Sequence, residues 1–450
     1  MAAPRLMWFR RDLRLSDNHA LVAACDGGTI IPLYVLDEET PTHGYAMGAA
    51  QKWWLHHSLA ALDEQLRGHL MLRRGNAAEI VAEVADAIGA EEIHATRLYE
   101  PWSVEQQDAL GERLVLHDGE CLVSSEQVCT GAGEPYKVYG PFWRALSEQL
   151  PPPAPIERPA RIDYGEGPKG DRLEDWDLLP TDPNWASKFS GDWTPGEEGG
   201  RERLDDFAEE VSAYANTRNL PSEEGTSRLS PHLHMGEVSA RQVWHALDLK
   251  GGAKFLKELG WRDFARQAMR AQPSIGWETG REKMQKLAYR TGSAADADFE
   301  AWTRGETGYP IVDAGMRQLW ATGWMHNRVR MLAASFLTKH LLIHWERGAK
   351  WFWDCLVDAD YGNNSLNWQW IAGTGTASQQ FNRVMAPLSQ SDKFDAAAYI
   401  REWVPELADL SDAAIHDPHE AGCAPEGYAK KLVEHKEGRE RALSAYRDTK

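Results

Sequence analysis

The sequence is poor in cysteine, in long apolar runs and in net positive charge, and each shortage excludes something. Five cysteines in 450 residues (Cys25, Cys121, Cys129, Cys355 and Cys423) are an odd number without a C-x-x-C pair, which argues against a disulfide framework and a zinc site. No stretch reaches the roughly 18 apolar residues that a membrane-spanning helix needs. The opening MAAPRLMWFRRDLRL puts its arginines after a short apolar run, the reverse of a secretory leader. A cytoplasmic protein without membrane attachment is therefore expected, with the monomer as default. The 49 basic residues are outnumbered by 68 acidic ones, giving a net charge of −19, and that total taken alone argues against a polyanion partner. Nor does the first apolar run lead into G-x-G-x-x-G. It leads into FRRDLRLSDN, so a dinucleotide gripped there in the usual way is not expected.

What is present is a folded composition, 42% hydrophobic and 26% charged, with 20 tryptophans. That length predicts two or three domains. Over residues 1–130, apolar runs of strand length at Leu6–Phe9, Ile30–Leu36, Leu70–Leu72, Ile93–Leu98 and Leu114–Leu116 alternate with helical patterns at 48–67 and 76–88. This predicts an α/β domain with a doubly wound, Rossmann-like parallel sheet. Residues 131–200 are polar and rich in Pro and Gly, from PPPAP to GEEGG, and read as a long linker. Residues 201–450 read as a helical domain, with apolar periodicity at 201–215, 238–248, 253–270, 311–322, 327–341 and 348–357.

Between residues 250 and 350 basic residues outnumber acidic ones 17 to 10, a local excess in an acidic chain. A nucleic-acid footprint needs such a face; solvated helix surfaces account for it equally well. Four stretches stand out. EGTSRLSPHLHMGEVS (224–239) sets hydroxyls around Arg228 before a helix, a set that can cradle a pyrophosphate or simply cap and turn. In KELGWRDFARQAMR (257–270), helical spacing puts Glu258, Trp261 and Arg262 on one face, for base stacking or for core packing. TGWMHNRVRMLAASFL (322–337) pairs Asn327 with Met331 and His326 with Arg330 one turn apart. LVDADYGNNSLNWQWIAGTGTAS (356–378) crowds Asp358, Asp360, Asn363, Asn364, Trp368 and Trp370 into thirteen positions without helical periodicity.

In this order and spacing, RRDLRLSDN, EGTSRLSP, GETGYPIVDAGMRQL, TGWMHNRVRM and NWQW resemble the DNA photolyase and cryptochrome family, and within it the bacterial photolyases of cyclobutane pyrimidine dimers. The resemblance implies an antenna domain, a linker and a helical domain that encloses FAD, and it implies a lyase acting on UV-damaged DNA. It places Tyr214, Thr226, Ser227, Arg228, Leu229 and Ser230 on the flavin phosphates and ribityl chain. Arg330 and Asp358 become an ion pair beside the isoalloxazine, Asp360 belongs to the same segment, and Asn364 faces flavin N5. Glu258, Trp261, Arg262, Asn327, Met331 and Trp370 form the pocket for a flipped-out dimer, with Arg218 and Arg328 on phosphates.

Three features favour repair over signalling. Asn364 stands where plant cryptochromes carry an acid and animal ones a cysteine, and Asn327 and Met331 stand where (6-4) photolyases carry histidines. The chain also ends about 80 residues after NWQW, without the tail of many cryptochromes. A cryptochrome-like photoreceptor and a (6-4) photolyase are the alternative readings. For photoreduction, Trp368 and Trp345 match the inner and middle members of the family's tryptophan chain, while the outer position offers Tyr289; Trp302, Trp351 and Trp353 are other exits, though core packing accounts for them. His43, Tyr99 and Glu100 lie where the family places a second antenna chromophore, which is methenyltetrahydrofolate, deazaflavin or FMN when present.

Overall fold

The computed structural model describes residues 4–247, 251–378 and 381–449. The five apolar runs form strands β1 (Arg5–Phe9), β2 (Ile30–Leu36), β3 (Met71–Arg74), β4 (Ile93–Thr96) and β5 (Leu114–His117). All pair in parallel, in the order β3-β2-β1-β4-β5, with Arg5 opposite Ile30, and Ile93 opposite both Leu6 and Leu114. Every residue of β2 is buried, as happens when helices cover both faces of a parallel sheet. The cover comes from α1 (His19–Asp26), α2 (Ala49–Gln65), α3 (Ala77–Ile88) and α4 (Pro101–Leu110). Alternate residues serve opposite layers: Leu6 and Trp8 pack with Val81 and Val84, Met7 and Phe9 with Leu21 and Trp54.

Doubly wound sheets usually bind ligands at the carboxyl ends of their strands, where the strand order reverses. Here Arg10, just after β1, occupies that region. Its guanidinium donates to Gln107 Oε1 (2.9 Å) and Gln106 Oε1 (3.3 Å) and lies 4.4 Å from the Trp8 ring centre.

Residues 131–200 are more ordered than their composition suggests. They include α5 (Tyr139–Ser147), whose Phe142 and Leu146 are buried one turn apart. Gly140 and Pro141 interrupt the pattern that would have revealed it. Further on, the segment straps the start of β2, with Ile30 N donating to Asp163 O (2.8 Å) and Gly165 N to Ile30 O (3.0 Å). The elements that build the site are α6 (Ala253–Ala271), α7 (Asn327–Ser335), α8 (Trp345–Cys355) and α9 (Tyr361–Ala372). α9 corrects the reading of 356–378 as non-helical. It buries residues all around its circumference, among them Tyr361, Ser365, Leu366, Trp368 and Gln369, so no single apolar stripe marks it.

A charged network joins the sheet region to these helices. Arg266, fully buried, donates to Glu120 Oε1 (2.6 Å) and to both Asp360 oxygens (3.1 and 2.7 Å). Arg11 pairs with Glu100, with Glu120 (2.8 Å) and with Asp360 (3.5 Å). Burial alone would raise the pKa of Asp360, but Arg266 and Arg11 hold it well below the usual carboxylate range. Glu100, Glu120 and Asp360 bring oxygens within 4.8 Å of one another; two guanidinium groups already lie among them, which makes the cluster a salt-bridge network.

Candidate active site

The loop before Ser230 turns sharply. Arg228 adopts φ 50°, Ser227 Oγ accepts from Leu229 N (3.2 Å), and the short helix Ser230–Met235 starts with Pro231 in its first turn. Leu229 is fully buried and anchors the loop. Across from it, Arg330 makes a two-point pair with Asp358 (3.0 and 2.9 Å) and donates from Nε to Met325 O (2.7 Å). Ser230 Oγ donates to the same Asp358 (2.6 Å). A guanidinium so fixed keeps its orientation at little entropic cost. The Trp324 ring serves Arg228 and Arg330 together, with ring-centre distances of 5.1 and 5.8 Å.

These groups line one cavity of about 480 Å³, a size ordinary for a cofactor site. It gathers Tyr214, Thr226, Ser227, Arg228, Ser230, Arg330, Asp358, Asp360 and Asn364 with Arg218, Glu258, Trp261, Arg262, Asn327, Met331, Trp368 and Trp370. Asn363 of the crowded 356–378 stretch also lines it, together with Trp324 and His234, which no local pattern marks. One buried donor in its wall, Arg228 Nε, has no hydrogen-bond partner among the described residues, while His234 Nδ1 lies 3.8 Å from Asp360.

On the side away from the loop, Glu258 pairs with Arg218 and lies 3.9 Å from Lys254. Trp261 stacks one face on Tyr139, at 3.6 Å and 3°. Asn327 is exposed at the start of α7. The residue before it, His326, caps that helix by accepting from Arg328 N (3.2 Å). Burial, then Arg328 and Arg330, push the His326 pKa down to about 4, so the ring stays neutral and able to accept at neutral pH. Arg328 donates to Asn219 Oδ1 (2.6 Å) and rests on the Phe394 ring; it is not among the cavity-lining residues. Burial, then Arg218 and Arg383, lower its pKa, a gathering of cations that suits a phosphate. Arg262 reaches the cavity, but its guanidinium donates to the backbone carbonyls of Glu120 and Leu233.

Behind the cavity, Trp368 packs edge-on against Phe352 (5.0 Å) and Trp302 (6.3 Å). Gly348 permits this, because a Cβ there would lie 2.2 Å from the Trp368 ring. Trp345 is fully buried, with its N–H 3.3 Å from Thr279 Oγ1. His344 touches both Trp345 (5.5 Å) and Tyr289 (4.7 Å), and the Tyr289 hydroxyl is buried without a hydrogen-bond partner among the described residues. Trp351 stacks on exposed Trp320, and the Trp353 N–H donates to Ala46 O.

Of the three residues expected at an antenna site, His43 is exposed and stacks on Trp277 at 4.1 Å. Tyr99 is buried and donates to Glu126 (2.9 Å). Glu100 gives one oxygen to Arg11, while the other is buried without a hydrogen-bond partner among the described residues.

Residues 5–160 match the model of the DNA photolyase family, and residues 255–448 the FAD binding domain of DNA photolyase. A deoxyribodipyrimidine photo-lyase from Agrobacterium fabrum is 43% identical over 99% of this chain and 98% of its own. The chain belongs to the DNA photolyase family. Cryptochrome-1 of Arabidopsis thaliana, 35% identical over 92% of this chain and 65% of its own length, is another relative. The crystal structure of a bacterial class III photolyase from Agrobacterium tumefaciens superposes with a TM-score of 0.94 at 42% identity, covering 100% of this chain and 98% of that one. The photolyase fold and an FAD-binding domain are therefore established. The cavity suits FAD on its own chemistry: the orphaned Arg228 Nε and the Thr226 and Ser227 hydroxyls offer donors to phosphates, and Arg330 offers a cation to an electron-rich ring. Among the described residues no helix is long and apolar enough to cross a membrane.

Proposed function

We propose that this photolyase repairs UV-damaged DNA by taking a cyclobutane pyrimidine dimer into its cavity and splitting it in light, with FAD as cofactor. One observation carries the reading. The loop with Arg228, the Arg330–Asp358 pair and Asn364 share a single cavity with Glu258, Trp261, Asn327, Met331 and Trp370, so cofactor and lesion occupy neighbouring space.

A dimer within a duplex is out of reach and must be extruded, and its weakened pairing lowers that cost. Trp261 and Trp370 supply aromatic faces for the extruded bases. Glu258, held by Arg218, and Asn327 offer polar partners to their edges, with Met331 as an adaptable apolar wall. Arg328, with Arg383 beside it, takes phosphate. FAD supplies the light absorption and the electron; the chain supplies position and charge. Arg330, fixed by Asp358, favours an anionic reduced ring. Trp368 and Trp345 serve to recharge it, and Tyr289 stands next to Trp345 through His344 without being needed for that path.

A second chromophore belongs near His43, Tyr99 and Glu100. The unpartnered Glu100 oxygen suits a pterin N–H edge, and Arg10 fills the crevice where a nucleotide-type antenna would otherwise lie; this favours methenyltetrahydrofolate over deazaflavin or FMN. The protein works as a cytoplasmic monomer in this reading.

The test is a repair assay on chemically reduced protein with an oligonucleotide carrying one cyclobutane thymine dimer, under blue light and in darkness. Light-dependent recovery of both thymines is expected. A flavin-loaded, reducible protein that restores none would overturn the reading in favour of photoreception, with the (6-4) lesion as the next substrate to try.

A further inference from the structure

We infer that Tyr139, which lies outside the cavity on α5, is a positioning residue for lesion recognition: it holds the Trp261 ring in the orientation that receives an extruded base. The inference rests on Trp261 being a stacking partner of the lesion. The two rings are parallel within 3° at 3.6 Å. Phe264 meets Trp261 edge-on at 5.8 Å and 85°. Trp261 lines the cavity and Tyr139 does not, so one face of the indole is already covered and the rest is left for a ligand.

Tyr139 is itself fixed. Its hydroxyl donates to Lys257 O (3.1 Å), one turn of α6 before Trp261. Trp143 stacks beside it at 6.2 Å and 20°. Trp143 sits directly over Gly260, where a Cβ would come 2.4 Å from the Trp143 ring and 3.3 Å from the Tyr139 hydroxyl. The missing side chain at Gly260 therefore lets α5 close against α6 beside Trp261.

An unsupported, half-exposed indole would populate several rotamers and lose that freedom on binding, whereas a pre-stacked one has already lost it. Selectivity follows from the same geometry. Tyr139 acts on the base-stacking ring and not on Arg328, so it bears on damaged DNA more than on backbone affinity. The Pro/Gly-rich segment between the sheet and the helical region thus contributes to recognition as well as connection.

The experiment measures dissociation constants for one oligonucleotide with and without a thymine dimer, together with repair yield at saturating lesion, in five proteins: wild type, Tyr139→Leu, Tyr139→Phe, Trp261→Ala and the double variant Tyr139→Leu/Trp261→Ala. Tyr139→Leu should weaken dimer binding about fivefold, leave binding of undamaged DNA unchanged and preserve the repair yield of bound lesion. Tyr139→Phe keeps the ring and should stay within about twofold of wild type. The double variant Tyr139→Leu/Trp261→Ala should bind no worse than Trp261→Ala, because one residue acts through the other. Equal loss for damaged and undamaged DNA, full additivity in the double variant, or no loss in Tyr139→Leu while Trp261→Ala binds weakly would overturn the role of Tyr139. If Trp261→Ala itself binds the dimer normally, the lesion-pocket reading falls, and this inference falls with it. Should Tyr139→Leu fail to fold, as read by flavin absorbance and thermal midpoint, Gly260→Ala displaces the same stack and must show the same selective loss.

Discussion

The cavity has one open aromatic wall, and a sealed one of the same residue type runs from its edge into the core behind it; the two are put to different uses. Trp261 and Trp370 are half-buried and face open space, one of them backed by a parallel ring. Trp368 and Trp345 are buried to 3% and 0% exposure, surrounded by Phe352, Trp302 and His344. A ring with a free face can bind a base. A ring sealed among other rings cannot bind anything, but it can hold or pass an electron without exposing an oxidised indole to water. Exposure and neighbours, more than residue type, divide recognition from electron supply here.

The largest effect should come from breaking the sealed wall. Trp345→Phe replaces an oxidisable indole by a ring that is hard to oxidise, and blue-light photoreduction of oxidised flavin should fall by about two orders of magnitude, roughly 2.7 kcal/mol on the barrier. Repair by chemically reduced protein should persist, because that electron does not travel through Trp345. Transient absorption after a laser flash is the check; normal photoreduction would mean that the Trp302 contact of Trp368 carries the traffic. On the open wall, Trp261→Ala should cost about 2 kcal/mol of dimer binding, roughly thirtyfold in Kd, with photoreduction unaltered. A variant at either wall that damaged both functions alike would erase the distinction between them.

A smaller effect is expected at Glu258. Removing its carboxylate in Glu258→Ala takes a polar partner from the lesion and leaves Arg218 unpaired, so the repair yield should drop about fivefold, near 1 kcal/mol. The flavin spectrum should be unchanged, and an unaltered yield would remove Glu258 from the pocket's chemistry.

Local patterns carried much of this organisation and failed where burial or distant partners decide. The five strands were legible because each apolar run is short and bounded by turns, as at Ile30–Leu36. α9 was not, because a helix buried on all sides loses its stripe. α5 was hidden by Gly140 and Pro141. In the site, Arg330 and Asp358 sit in recognisable motifs and do meet. The seat of Arg262 on the carbonyls of Glu120 and Leu233, 142 and 29 residues away, has no local signal at all. Tyr139 was unreadable for the same reason, since its partner Trp261 lies on another element.

The smallest effect should be at Tyr289, the outer position of the sealed wall. Contact favours it as a donor, because His344 bridges its ring to Trp345. Proton chemistry opposes it. A phenol that gives up an electron also sheds its proton, and the Tyr289 hydroxyl is buried without an acceptor, while burial raises its pKa still further. An indole has no such immediate need. Tyr289→Phe should therefore slow photoreduction by no more than about twofold, under 0.5 kcal/mol on the barrier, and the flash spectrum should show an indole radical with no tyrosyl signal. A tenfold loss, or a tyrosyl radical in the wild type, would require a proton acceptor to reach that hydroxyl during the reaction, and would make Tyr289 the terminus of the path that Trp368 and Trp345 begin.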